Sequence, residues 1–182
     1  MKKLLVLLAI IATVAPVFAQ FDGSSVSRGN KVLNYDKQGN LLSSSISSGN
    51  KVSNYDSNGN LLGTTVNSAN KILKYDANGK LLNYTSYEGN SVLNYDGNGK
   101  LLSKVVTMGN KVTLYDGNNN ITSSTVYKGN ETLNYDAKGN LTSSVVKFGN
   151  KTTNYDAKGN VTSSTVRQGN KILNYDSKGN LQ

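Results

Sequence analysis

The chain contains no cysteine, no histidine and no tryptophan, and its one proline is Pro16. Without thiols no disulfide can restrain it, so stability has to come from packing and hydrogen bonding. Without histidine or cysteine, the commonest general base, the thiol nucleophile and the usual zinc ligands are missing. The many serines have no histidine partner. Acidic residues number eleven. Eight of them are the aspartate of a recurring Tyr-Asp pair, and Asp22, Glu88 and Glu131 complete the set. A carboxylate pair for glycoside chemistry would have to be drawn from these, in surroundings with nothing distinctive. Asp76-Ala77-Asn78-Gly79 looks like the start of a calcium loop, but the glycine comes two positions early and no bidentate glutamate follows. The expectation is a non-enzymatic protein with no cofactor and no metal.

Long apolar runs are also missing, except at the start. "MKKLLVLLAIIATVAPVFAQ" has Lys2 and Lys3, then an apolar stretch from Leu4 to Val14, then small or aliphatic residues before Ala19. This is the pattern of a secretory signal peptide, 1–19, cleaved after Ala19; the stretch is short for a membrane span. No cysteine follows it to carry a lipid anchor. The expected product, residues 20–182, is secreted, periplasmic or held at the cell surface, with no membrane span. Lys and Arg total 20; setting aside Lys2 and Lys3 leaves 18 against 11 acidic residues, a net +7. The lysines are scattered singly, as on a solvated surface whose strand edges are guarded by charge. They would also give weak attraction to acidic polymers, without specific nucleic-acid recognition.

What the chain does have is repetition. Tyr-Asp recurs every 20 residues, at Tyr35, Tyr55, Tyr75, Tyr95, Tyr115, Tyr135, Tyr155 and Tyr175. The unit reads G-N-K-V-L-N-Y-D-x-x-G-N-L-x-S-S-x-V-x-x. A half unit, 21–28, precedes seven full units, 29–168, and a partial unit, 169–182, follows; no linker interrupts the array. Each unit has two runs rich in Val, Ile, Leu, Thr and Tyr, bounded by turn residues and without helical spacing.

The first boundary is D-x-x-G. Asp36, Asp56, Asp76, Asp96, Asp116, Asp136, Asp156 and Asp176 suit the first position of a type I turn. Gly39, Gly59, Gly79, Gly99, Gly139, Gly159 and Gly179 suit the left-handed position after it, giving a hairpin with a G1 bulge. Asn119 stands in this slot once, and asparagine is the next most tolerant residue there. The second boundary, G-N, fits a two-residue type II′ turn. Ala69 replaces its glycine once, which leaves that turn in doubt, because alanine disfavours positive φ. The asparagine is present in all eight copies, Asn30 to Asn170, and is expected to bond a backbone group in each.

Two tight turns per unit give about sixteen strands, in an elongated all-β antiparallel meander of 20-residue hairpin repeats. A β-solenoid with one repeat per coil is the alternative, since it would stack identical residues as ladders. A membrane barrel fits less well, because polar residues fall on both faces. Neighbouring units would have to bury one another's Tyr, Leu and Val, and the bulge leaves open which face of one strand matches which face of the next.

Y-D-A-K-G-N-L-T-S resembles the YD repeat of bacterial RHS proteins, and G-N-K-x-x-x-Y-D-x-x-G-K/N-L is similar to the MORN-variant repeat of YwqK-like proteins. The resemblance spans Gly29 to Leu181. It implies an exported hairpin array that works through its surface. RHS shells use far more repeats to enclose a toxin, so that role does not carry over. Curli-type amyloid subunits share the export, period and composition but not the spacing pattern, and serve only as a functional analogy.

The eight tyrosines are the candidate ligand surface, since regularly spaced aromatics stack on sugar rings; the competing role is packing between hairpins. The variable pairs before each G-N boundary are a second candidate: Tyr87-Glu88, Thr107-Met108, Tyr127-Lys128 and Lys147-Phe148. The expected function is structural or adhesive, at the bacterial surface or in the matrix. The alternatives are a glycan- or wall-binding module and a self-assembling fibre subunit. Expected partners are accordingly acidic or neutral surface glycans, or further copies joined at sheet edges.

Overall fold

The structure, a computed structural model, describes residues 23–182. The expected signal peptide, with Gln20, Phe21 and Asp22, lies outside the described residues. The described residues divide into two compact units, the first ending at Thr64 and the second spanning Thr65–Gln182, taken separately below.

Among the described residues, sixteen antiparallel strands follow one another in chain order as an open meander. The early strands are β1 (Ser24–Arg28), β2 (Lys31–Tyr35), β3 (Leu41–Ser48) and β4 (Lys51–Asp56). The unit boundary falls within β5 (Leu61–Ser68). The second unit continues with β6 (Lys71–Asp76), β7 (Leu81–Glu88), β8 (Ser91–Asp96), β9 (Leu101–Met108), β10 (Lys111–Asp116) and β11 (Ile121–Lys128). It ends with β12 (Glu131–Asp136), β13 (Leu141–Phe148), β14 (Lys151–Asp156), β15 (Val161–Gln168) and β16 (Lys171–Tyr175). The meander is therefore the architecture, and the solenoid alternative is set aside.

The turns explain the pattern. In the first unit the Gly39 N–H donates to the Asp36 carbonyl at 3.1 Å, and the Asp36 N–H donates to the Asn40 carbonyl at 2.9 Å. Gly39 has φ +83°. This is the expected type I turn with a G1 bulge. Asn119 takes the same place at φ +63°, so the exception obeys the rule. At the G-N turns Gly29 and Gly49 have φ near +60°, while no asparagine of these turns appears with positive φ, as type II′ requires. Ala69 keeps the turn by accepting φ +47°. The doubt over that turn is thus resolved in favour of the geometry and against the comfort of the residue.

The turn asparagine holds a strand rather than its own loop. Asn30 Nδ2 donates to the Ser47 carbonyl at 2.9 Å, and the Ser47 N–H donates to the Asn30 carbonyl at 2.8 Å. The turn residue thereby adds a rung to the β2–β3 ladder. Asn70, Asn110 and Asn150 make the same side-chain bond to Tyr87, Tyr127 and Arg167. Asn90 and Asn130 join through their backbone carbonyls.

Register settles the faces. Leu33 stands opposite Ser44 and Tyr35 opposite Leu41; across the next turn Ser44 stands opposite Tyr55 and Ile46 opposite Ser53. Opposed residues share a face, so Leu33, Tyr35, Ser44 and Ile46 lie on one side, the tyrosine face. Val32, Asn34, Ser43 and Ser45 lie on the other, the asparagine face. Between the Asn34–Ser43 and Tyr35–Leu41 pairs the register slips by one, and Leu42 is the extra residue. The same bulge recurs at Leu82, Leu102, Thr122, Thr142 and Thr162.

Within each unit the described strands form a single layer, and neither face is covered by another element. This corrects the expectation that units bury one another's Tyr, Leu and Val. Among the described residues the buried hydrophobic side chains are Val105 and Val112 alone. The other buried side chains are small and polar: Ser44, Ser86, Thr113, Ser124 and Ser164. The reason is geometric. With no second layer, a side chain has only lateral neighbours, and those enclose a serine but leave the outer half of a tyrosine or leucine in water.

Candidate functional site

The eight Y-D tyrosines all fall on the tyrosine face, and each is half-buried. Each sits at the end of its strand, where the aspartate starts the turn. On one side the ring has the first residue of the next strand: Leu41 for Tyr35, Leu101 for Tyr95, Ile121 for Tyr115, Val161 for Tyr155. On the other side it has a small residue in most units: Ser24, Ser44, Ser124, Ser144 and Ser164 oppose Tyr35, Tyr55, Tyr135, Tyr155 and Tyr175. Ser44, Ser124 and Ser164, each opposed by a tyrosine on one side and by Leu33, Thr113 or Thr153 on the other, are buried.

Successive tyrosines are two strands apart and slip by two residues along the strand, as the second unit shows: Tyr95 stands opposite Leu101, and Tyr115 opposite Lys104 on the same strand. Strand spacing and rise then separate them by roughly 12 Å, in a diagonal file. Packing and ligand contact are therefore not exclusive. Each tyrosine is packed in part and exposed in part.

Two repeats of the second unit replace the small residue, and the surface thickens there. Tyr84 opposes Tyr95, with ring centroids 4.7 Å apart and planes inclined by 13°. Lys71 Nζ lies 5.4 Å from the Tyr84 ring centre. Burial raises the Tyr95 phenol above its ordinary pKa, with Glu88 and then Tyr84 adding to the effect. Lys104 places Nζ 4.5 Å over the Tyr115 ring and donates to Asn119 Oδ1 at 2.9 Å. That side chain ties the exceptional asparagine turn to the strand beside it.

The asparagine face carries a feature that reading along the chain did not reveal. Asn34 accepts from Ser25 Oγ at 2.8 Å and donates from Nδ2 to Ser43 Oγ at 2.9 Å. Asn94 does the same between Thr85 and Ser103, at 2.8 and 3.0 Å, and Asn134 between Thr125 and Ser143, at 3.0 Å each. Equivalent asparagines are two strands apart and cannot touch; a hydroxyl on the strand between brings each into a cross-strand network. The network changes character where the asparagine becomes Leu114. There Val105 opposes Leu114, Val92 opposes Val105, and Val105 and Val112 are the buried pair noted above.

The aspartates are structural. Asp36 Oδ1 accepts from the N–H groups of Gln38 and Asn40 at 2.9 and 2.8 Å, and Oδ2 from Asn40 Nδ2 at 3.0 Å. The Asn40 side chain, then its backbone N–H, holds the Asp36 carboxyl below the usual range. Asp56, Asp116, Asp136, Asp156 and Asp176 are lowered in the same way, by Asn60, Asn120, Asn140, Asn160 and Asn180. The resemblance of Asp76-Ala77-Asn78-Gly79 to a calcium loop ends here: the Asp76 carboxylate accepts from the N–H groups of Asn78 and Lys80 within its own turn.

The variable pairs split between the faces, because neighbours in a strand point oppositely. Tyr87, Tyr127 and Lys147 join the asparagine face, and Glu88, Met108, Lys128 and Phe148 the tyrosine face. Phe148 is 80 % exposed.

No protein-family model matches the chain, and no curated protein matches it. Among solved structures, a protein of Arabidopsis thaliana is similar over 59 % of this chain and 72 % of its own, at 16 % identity and a TM-score of 0.35. Alternansucrase in complex with isomaltononaose is similar over 88 % of this chain but 15 % of its own, at 21 % identity and a TM-score of 0.26.

Proposed function

We propose that the chain is a secreted, non-enzymatic repeat protein with a structural or adhesive role at the bacterial cell surface or in the matrix. One observation carries this reading: within each unit a single-layer sheet leaves both faces open, so the repeats generate contact area rather than an enclosed site. The polar groups that could have served chemistry are spent on the scaffold, the aspartates in turns and the asparagines in ladders. The likeness of Y-D-x-x-G-N-L to YD and MORN-variant repeats points the same way.

The test is expression of the full chain with its own leader in a bacterial host, followed by fractionation and co-sedimentation with intact cells and matrix. Accumulation outside the cytoplasm and sedimentation with cells or matrix are expected. Replacing Tyr135 and Tyr155 with serine should weaken sedimentation while leaving the β-sheet circular dichroism in place. A product confined to the cytoplasm, or one that never sediments, would overturn the reading.

A further inference from the structure

The two turn margins of the second unit differ in charge. Along the D-x-x-G margin five lysines (80, 100, 138, 158, 178) stand among six aspartates, each aspartate engaged in its own turn. Along the G-N margin the strand ends carry Lys71, Lys111, Lys128, Lys147, Lys151, Arg167 and Lys171 against Glu88 and Glu131. All seven cations are exposed. The repeat separates the signs: the aspartate is obligatory at one turn, and lysine is the commonest residue after the other.

On the asparagine face this margin forms a shallow groove. Lys147, Asn150, Thr152, Thr165, Arg167 and Ile172 line it. Lys147 stands opposite Thr152, and Thr152 opposite Thr165. Arg167 is held in place because Asn150 Nδ2 donates to its carbonyl at 2.8 Å and its N–H donates to the Asn150 carbonyl at 2.9 Å. Tyr127, 46 % exposed, occupies the position equivalent to Lys147 one repeat earlier. Tyr127, Lys147 and Arg167 thus form a file at steps of roughly 12 Å, from two strand spacings and a two-residue slip.

We infer that this margin binds a linear acidic polysaccharide. Lys147 and Arg167 would meet carboxylate or sulfate groups, the threonine-lined floor would hydrogen-bond sugar hydroxyls, and the Tyr127 ring would lie against a sugar face. Single-stranded nucleic acid fits less well, because it needs an aromatic platform for successive bases and this file offers one ring. The inference rests on the surface role proposed above and supplies its partner class.

The experiment uses the purified protein with heparin and polygalacturonate as probes, and neutral dextran and oligo-dT as comparators, across a salt series. Binding to the acidic polysaccharides, weakening with salt, is expected, with dextran and oligo-dT at least fivefold weaker. The Lys147→Gln/Arg167→Gln double variant should lose at least fivefold in affinity. The matched pair Lys138→Gln/Lys158→Gln, on the other margin, should lose less than twofold. Hydrogen exchange on β13–β16 should be unchanged in both, which separates lost binding from lost folding. Equal losses from the two margins, preference for oligo-dT or dextran, or no binding to either acidic probe would each overturn the inference. Sedimentation with cells that survives the Lys147/Arg167 change would also overturn it, while leaving the adhesive role standing.

Discussion

The hydroxyl–asparagine network can be exchanged, one rung at a time, for the apolar version that the chain already contains. In β11–β12 Thr125 opposes Asn134; in β9–β10 the same two positions hold Val105 and Leu114. Asn134→Leu alone removes two side-chain hydrogen bonds, to Thr125 and Ser143, each contributing about 1 kcal/mol. Burying about half of a leucine side chain returns roughly 1 kcal/mol. The single change should therefore cost about 1 kcal/mol. Thr125→Val alone should cost a similar amount, because it strips one bond from an asparagine that stays half-buried. Together they rebuild the Val–Leu pair and remove both partners of the Thr125–Asn134 bond at once, while Ser143 still loses its donor. The double variant should cost no more than about 1 kcal/mol, against about 2 for the sum of the singles, a coupling of about 1 kcal/mol. Repeat arrays open locally, so the assay is hydrogen exchange at the amides of β11 and β12 rather than a global melt. Additive costs would refute the reasoning. They would mean that the Thr125–Asn134 bond is not what either single change loses.

Two further outcomes follow from the turns. Ala69 sits at φ +47°, where an L-residue costs about 1–2 kcal/mol; glycine would give back part of that through its unfolded-state freedom. Ala69→Gly should slow exchange at the flanking amides of β5 and β6 by about 0.5–1 kcal/mol, and Gly89→Ala should do the reverse in β7 and β8. The six lowered aspartates contribute stability that is fully present above the unfolded carboxylate value of about 3.9. That contribution is lost as pH falls through their lower folded values. Resistance to denaturant should be level above pH 5 and fall below pH 4, and Asp136→Asn should flatten the fall locally at the β12–β13 hairpin. Rising stability in acid would contradict the assignment.

The turns are legible in the sequence because each depends on a local requirement that one or two residues advertise. The D-x-x-G signal, tested by Asn119, predicted both the hairpin and its bulge. The second bulge was not legible. Nothing in Leu41-Leu42 marks one leucine as paired and the next as extra; the difference appears only when Asn34 is matched to Ser43 and Tyr35 to Leu41. Without that register the two faces could not be assigned, and Asn34, Asn94 and Asn134 read as ordinary polar strand residues. The tyrosines were legible as a set, but not their flanking serines, because Ser44 and Tyr55 meet only across a turn. Charge was visible as a total and invisible as a pattern, since separating it needs to know which turn lies on which margin.

The single layer has a consequence for how such a chain can change. In a packed domain, alternate residues of a strand answer to different masters, one to the interior and one to water. Here both answer to water, so the even and odd positions of each strand are two interleaved texts, each written on its own side of the same sheet. Tyr84 and Lys104 revise one text at the places where Asn94 and Ser103 keep the other unchanged. A mutation can edit what one side presents and leave the other side's message as it was.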